Sequence, residues 1–400
     1  MNGGLLAAAG QRAVDLLGLP ERMLQPEALM RRFEGEACLA PFEGENPLRI
    51  LLDDYRRHAG LSLVGCFAAR FDVTRLLRNL AALREHEARE PELLAWHIER
   101  PIFITGLPRS GSTFLFKLLA EDPENRAPAS WETVFPLPRS AGDVPARRIA
   151  AMNRLLATFE RMAPNFHAMH PIAATSPQEC TEITAHVFRS FRFELTHHMP
   201  GYRAWLRRAD HGPAYRFHRI FLQHLQYQDG RPRRWVLKCL DHVFTLDALA
   251  AAYPDARLVF LHREPLEILA SLAGLTAILR QPFTSRLDPA AIGREVVGDW
   301  LEGTEAMMRA DARRLFPKER VVHVRFRDLI AAPLATVTAL YERFGLSLGA
   351  EARSRMERRC AELPRGGYGG LTHTLESYGV DTDSVRRSFD AYTDHFGIRA

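Results

Sequence analysis

The run Ile102-Phe103-Ile104-Thr105-Gly106-Leu107-Pro108-Arg109-Ser110-Gly111-Ser112-Thr113 holds the residue types and spacing best suited to chemistry. Its apolar start, glycine-punctuated middle and hydroxyl-rich end predict a buried strand, a loop and then a helix. Gly106 and Gly111 keep the spacing Gly-x-x-x-x-Gly-Lys-Ser/Thr of a nucleotide-phosphate loop, but Ser112 stands where that pattern has lysine. Phosphoryl transfer from ATP needs that lysine on the β- and γ-phosphates. The loop is therefore expected to hold a phosphate-like anion without γ-phosphoryl chemistry. Backbone N–H groups at a helix start point at such an anion, and the helix dipole favours it. Ser110, Ser112 and Thr113 add hydroxyl donors, and Arg109 adds a planar fork that matches an oxyanion.

A second segment has the same grammar. Arg257-Leu258-Val259-Phe260-Leu261-His262 predicts another buried strand, and Arg263-Glu264-Pro265 opens a helix with proline in its first turn. Arg263 then sits at a strand's C-terminal end, where open parallel sheets bind ligands. Ser271 lies about two turns into the following helix, on a face able to look back at that arginine.

With these residues in view, the chain resembles a known family. Pro108-Arg109-Ser110-Gly111-Ser112-Thr113 is similar to the 5′-phosphosulfate loop of sulfotransferases that use 3′-phosphoadenosine 5′-phosphosulfate (PAPS), and Arg263 with Ser271 resembles their 3′-phosphate pair. Trp235-Val236-Leu237-Lys238, His242, Tyr253-Pro254-Asp255-Ala256-Arg257 and the tail from about Leu371 to Phe396 resemble a large bacterial branch. The likeness spans roughly 98–396. Where that branch often has Lys-Ser-Pro-x-His, this chain has Lys238-Cys239-Leu240-Asp241-His242. Where it often has a His-x-Tyr pair, this chain has Leu371 and His373, ahead of Leu375-Glu376-Ser377-Tyr378-Gly379.

The resemblance implies transfer of a sulfonate from PAPS to a hydroxyl of a small-molecule or lipid-like acceptor, with 3′-phosphoadenosine 5′-phosphate (PAP) as product and no metal. It implies that Arg109, Ser110, Gly111, Ser112, Thr113, Arg263 and Ser271 bind the donor. Arg109 and Lys238 are the expected cationic catalytic groups. Glu132, beside Trp131, resembles the base of tyrosylprotein-type members. His242 is the other candidate base, although it follows Lys238 by four residues where animal cytosolic members use two. Two other readings compete: a small-molecule kinase of P-loop type, disfavoured by Ser112, and a catalytically silent nucleotide-binding protein.

The elements that must position these groups follow from patterning. The chain has 400 residues, 46% of them hydrophobic and 25% charged, enough for a large core. The expected fold is α/β: a P-loop-like parallel sheet flanked by helices, with a helical N-terminal segment over 1–97 and a sulfotransferase domain over 98–400. A helical insertion at about 147–228, near the acceptor, is expected in pieces at 147–163, 177–198 and 211–228. Strands are expected at Trp235–Leu237 and Val321–Phe326 besides the two already named. Residues 122–145 are expected to form an ordered loop, and Gly366, Gly367, Gly369 and Gly370 a flexible one able to close over a ligand.

Other features narrow the function class. A net charge of +5 without an aromatic-interleaved basic stripe gives no reason to expect nucleic acid. Five widely spaced cysteines, Cys38, Cys66, Cys180, Cys239 and Cys360, predict neither disulfides nor zinc and point to a reducing cytoplasm. The run Leu5 to Ala9 is too interrupted for a signal peptide, and no segment reaches the roughly eighteen apolar residues of a membrane span. His167 with His170, and His197 with His198, lack metal-pair spacing. Glu179 and Glu182 share a helix face that could line the acceptor pocket, and Phe166, Phe188, Phe191 and Phe193 either wall that pocket or pack the core. Oligomeric state is not legible.

Overall fold

A computed structural model describes Val14 and residues 16–33, 46–138, 142–164, 166, 171–362 and 373–398. The glycines at 366–370, Leu371, the His167/His170 pair, Cys38 and the Leu5–Ala9 run lie outside the described residues.

Five strands form one parallel sheet: β1 (Ile102–Gly106), β2 (Asn125–Arg126), β3 (Arg234–Lys238), β4 (Arg257–His262) and β5 (Val321–Arg325), in the order β2-β3-β1-β4-β5. Both β1 and β4 are buried along their whole length, as befits central strands covered on two faces. The register sets Ile104 beside Lys238 on one side and Val259 on the other, and Gly106 beside Leu261. All the strand ends named in the sequence therefore emerge on one edge.

Alternation splits the side chains between two cores. Phe103, Trp235, Leu237 and Leu258 face one cluster, shared with the N-terminal helices, among them α1 (Leu63–Arg89) with Leu76, Leu77, Leu80 and Leu83. Ile102, Ile104, Val236 and Val259 face the other, packed on Leu115, Phe116 and Leu119 of α2 (Ser112–Leu119) and on Val337, Leu340 and Met356. Helices α3 (Gly212–Asp229), α4 (Pro265–Arg280) and α5 (Pro289–Ala312) complete the first face. Pro265 and Pro289 each start a helix, where a missing N–H costs nothing.

Two expectations need correcting. The stretch 122–145 is not all loop: it holds β2 and a short helix, Ser130–Val134. Asn125 is drawn into the sheet because its side-chain amide donates to the Leu119 carbonyl (2.7 Å) and the Tyr341 hydroxyl (2.9 Å). Nor is 177–198 continuous helix. It breaks into Cys180–Thr184, a 3₁₀ turn at Ala185–Val187, and Arg192–Thr196, with Phe188 in a left-handed conformation (φ 53°). The break satisfies a buried group: the Tyr202 hydroxyl donates to the Phe188 carbonyl (3.0 Å) and accepts the Ser190 N–H (3.1 Å).

Candidate active site

The anion loop follows β1 directly. Gly106 has φ 119°, and a Cβ there would lie 2.3 Å from the Leu261 carbonyl oxygen, so only glycine lets β1 leave the sheet at this point. Gly111, at φ 83°, precedes α2. Between them Arg109 adopts φ 57°, a conformation that costs an ordinary residue roughly 1–2 kcal/mol. The buried Ser110 hydroxyl donates to the Leu107 carbonyl and so braces the loop from within. In this arrangement the Ser110 hydroxyl proton is committed to the loop itself. The first-turn N–H groups of α2 lack intrahelical acceptors by geometry and face the loop.

The second strand end reaches the first. Arg263 Nη1 donates to the Arg109 carbonyl (2.8 Å), while its Nε donates to Glu267 Oε2 (2.8 Å) and its guanidinium stacks on Phe326 at 4.0 Å. Burial, together with the nearby Arg263 charge, lowers the Arg109 pKa. Two arginines thus meet at this loop, and their positive charge favours an anion. Helix α4 carries half-buried Ser271, and His373 packs against Gly274 one turn further on. Glu264 caps this helix, accepting the Leu266 and Glu267 N–H groups.

Lys238 ends β3 only 2% exposed and on the Val236 face, towards α2. Its ammonium donates to Thr113 Oγ1 (3.3 Å) and to the Glu179 carboxylate. Lys238, Thr113 and Glu179 therefore form one chain of contacts on the anion loop. Glu182 goes elsewhere, to Arg75 (2.7 Å) and Arg192 (3.3 Å), so the two glutamates do not share a pocket wall.

Glu132 is ion-paired, whereas His242 has one ring nitrogen bonded and the other buried without a partner. Arg126 grips Glu132 with two parallel bonds, Nη2 to Oε1 (2.6 Å) and Nη1 to Oε2 (2.9 Å), and Oε2 also accepts the Ala129 N–H (2.7 Å). Arg126 in turn binds Asp229 (2.6 Å) and lies over Trp235. His242 sits in the 3₁₀ turn Leu240–Phe244, with its ring edge-on to Phe103 (5.2 Å) and Nδ1 bonded to the Tyr215 hydroxyl (2.6 Å). The four-residue offset carries it to the Phe103 face, away from the Lys238 ammonium. Burial drives its pKa well down, keeping the ring neutral.

Two acidic residues near Lys238 were not singled out as catalytic from sequence. Glu179 is one. Asp241 is the other, its carboxyl pushed up to about 7 by burial and by the charge of Glu179, against the pull of Arg207 and Lys238. Phe188, Phe191 and Phe193 are all buried in the core; cations stack on Phe191 and Phe193. His197 is buried against Tyr55, and His198 pairs with Glu295 (2.7 Å). Among the described residues no three His, Cys, Asp or Glu side chains converge as metal ligands, and no helix is long and apolar enough to cross a membrane. Cys66, Cys180, Cys239 and Cys360 are free thiols. A cavity of about 520 Å³ opens beside the Arg126–Glu132 clamp, bordered by Lys117, Trp131, Ser176 and Arg359.

Comparison with known proteins agrees with this geometry. A model of the sulfotransferase family matches residues 101–349. Sulfotransferase STF1 from Mycobacterium tuberculosis H37Rv is 32% identical, with a TM-score of 0.71 over 86% of this chain and 91% of that one. Sulfotransferase STF9 from Mycobacterium avium, 24% identical, has the same fold, with a TM-score of 0.78 over 95% and 97% of the two chains. No curated protein matches. The matched region takes in both strand ends and the lysine between them, and the chain belongs to the sulfotransferase family.

Proposed function

We propose that this protein moves a sulfonate group from PAPS to a hydroxyl of a small-molecule or lipid-like acceptor and releases PAP. The observation that carries the reading is the contact of Arg263 with the Arg109 carbonyl: it sets the ends of β1 and β4 side by side, a short reach apart for one nucleotide carrying two phosphates. The fit is chemical as well. Arg109, Arg263 and Lys238 are cations at the mouth of a helix N-terminus, and Gly111 leaves the backbone bare for close approach.

In this reading the N–H groups of residues 110–113, with the Ser112 and Thr113 hydroxyls, hold the 5′-phosphosulfate. Arg263 and Ser271 hold the 3′-phosphate. Arg109 and Lys238 stabilise charge that builds on the sulfonate and on the departing phosphate oxygen. Glu132 orders the segment over the sheet edge by holding Arg126, and His242 with Tyr215 stiffens the floor beneath. The four free thiols fit a reducing cytoplasm.

The test is incubation of the purified protein with radiosulfur-labelled PAPS and a cell extract, read by mass spectrometry for products heavier by one SO₃. Labelled products that depend on the protein are expected. Absence of transfer from PAPS alongside phosphoryl transfer from γ-labelled ATP would replace the reading with a kinase.

A further inference from the structure

Glu132 is held at two points by Arg126 and His242 is buried on the Phe103 face, whereas the contacts around Lys238 bring a more exposed carboxylate to the anion loop. Lys238 is nearly inaccessible, while the Glu179 side chain keeps 26% of its surface exposed, so this carboxylate is the open end of the Thr113–Lys238–Glu179 chain. Its position is fixed from behind. Pro177 bridges to Ala129, the Gln178 N–H donates to the Pro128 carbonyl (2.8 Å), and the Glu179 N–H donates to Gln178 Oε1 (2.9 Å). The helix Cys180–Thr184 starts immediately after it. One ammonium links the carboxylate to the hydroxyl at the start of α2, so Glu179 borders the space over that loop.

We propose that Glu179 is the general base, an assignment that rests on the sulfonate-transfer reading above. As the acceptor oxygen forms its bond to sulfur, the sulfur–oxygen bond to the 5′-phosphate breaks. The acceptor proton passes to a Glu179 carboxylate oxygen, and the electron pair of the broken bond leaves on PAP. The Lys238 ammonium, held by Glu179 before the donor arrives, turns to the sulfonate and frees the carboxylate for that proton. The charged and titratable groups facing Glu179 are Lys238 from β3, Asp241 and Cys239 from the turn after it, and Cys180 from its own helix; the charge of Glu179 acts on all three of the latter. Once the ammonium has moved, the carboxylate is left without its ion-pair partner.

Water serves as the acceptor in the test, so no natural substrate is needed: sulfate release from PAPS is measured alongside PAP affinity by calorimetry and melting temperature. Glu179→Gln is expected to slow sulfate release at least about a hundredfold, the usual worth of a positioned base. PAP affinity should be kept, the melting temperature should fall only as far as loss of one partly exposed ion pair requires, and the acidic limb of the pH–rate profile should disappear. Glu179→Asp should recover part of the rate and the limb. Full activity in Glu179→Gln, or a loss of rate with the pH profile unchanged, overturns the assignment while leaving sulfonate transfer in place. A wild-type protein that binds PAPS yet never hydrolyses it also overturns it, because an open base beside the donor should act on water. Failure of the wild type to bind PAP at all removes the underlying reading instead.

Discussion

Arg263 Nη1 lies 2.8 Å from the carbonyl oxygen of Arg109, so the arginine that ends β4 also braces the loop that follows β1. The side chain steadies the left-handed backbone of that loop, and in the proposed function it also supplies positive charge for one end of the donor.

Arg263→Ala should therefore weaken PAP binding by roughly 1.5–3 kcal/mol, the worth of a charge-assisted hydrogen bond. Adenosine 5′-phosphosulfate, which lacks the 3′-phosphate, should lose clearly less, through the loop alone. Calorimetry with both ligands checks this. Equal losses would leave Arg263 only its bracing role.

Glu132 is expected to matter for stability before catalysis. Its side chain and that of Arg126 are about 10% and 9% exposed, and removing one partner of such a buried pair costs about 3–5 kcal/mol. Asp229 still holds Arg126, which places Glu132→Ala at the lower end. Urea unfolding gives the value. Unchanged stability with collapsed turnover would return Glu132 to the role of base.

Gly106→Ala should prevent a normal fold. The substituted residue meets a backbone oxygen at 2.3 Å and a φ of 119° that side chains rarely adopt. The strand neighbour is itself fixed in the sheet and cannot yield. A soluble variant that melts like the wild type would contradict the described path of the loop.

Stability should fall on the alkaline side for an identifiable reason. Burial pushes the Glu194 carboxyl from 4.5 to about 8, and its Oε1 is buried without a partner. The folded state thus binds this proton more tightly than the unfolded chain does. The contribution is complete below about 4.5 and is lost as pH rises through about 8. Glu194→Gln, which cannot ionise, should flatten the decline in melting temperature between those limits. An unaltered pH profile in the variant would exclude Glu194 as its source.

Much of this architecture was legible because its signals are local. The apolar runs Ile102–Thr105 and Arg257–His262, each followed by a turn residue and a helix start, fall on β1 and β4. Pro265 marks a helix start. What escaped was long-range. Lys238 and Glu179 are 59 residues apart, and they meet only because Pro177 bridges to Ala129 and folds that segment back over the sheet edge. Glu132 looked available because its engagement depends on Arg126, whose short strand β2 has too few residues to show a pattern. The offset of His242 from Lys238 was visible as a count, but that it turns the ring onto Phe103 depends on the 3₁₀ turn between them.

A crystal structure with PAP bound tests the central claim most directly. The 5′-phosphate should rest on the N–H groups of residues 110–113, and the 3′-phosphate should lie against Arg263 and Ser271. PAP lodged away from these two strand ends, or with its 3′-phosphate turned from Arg263, would contradict the account.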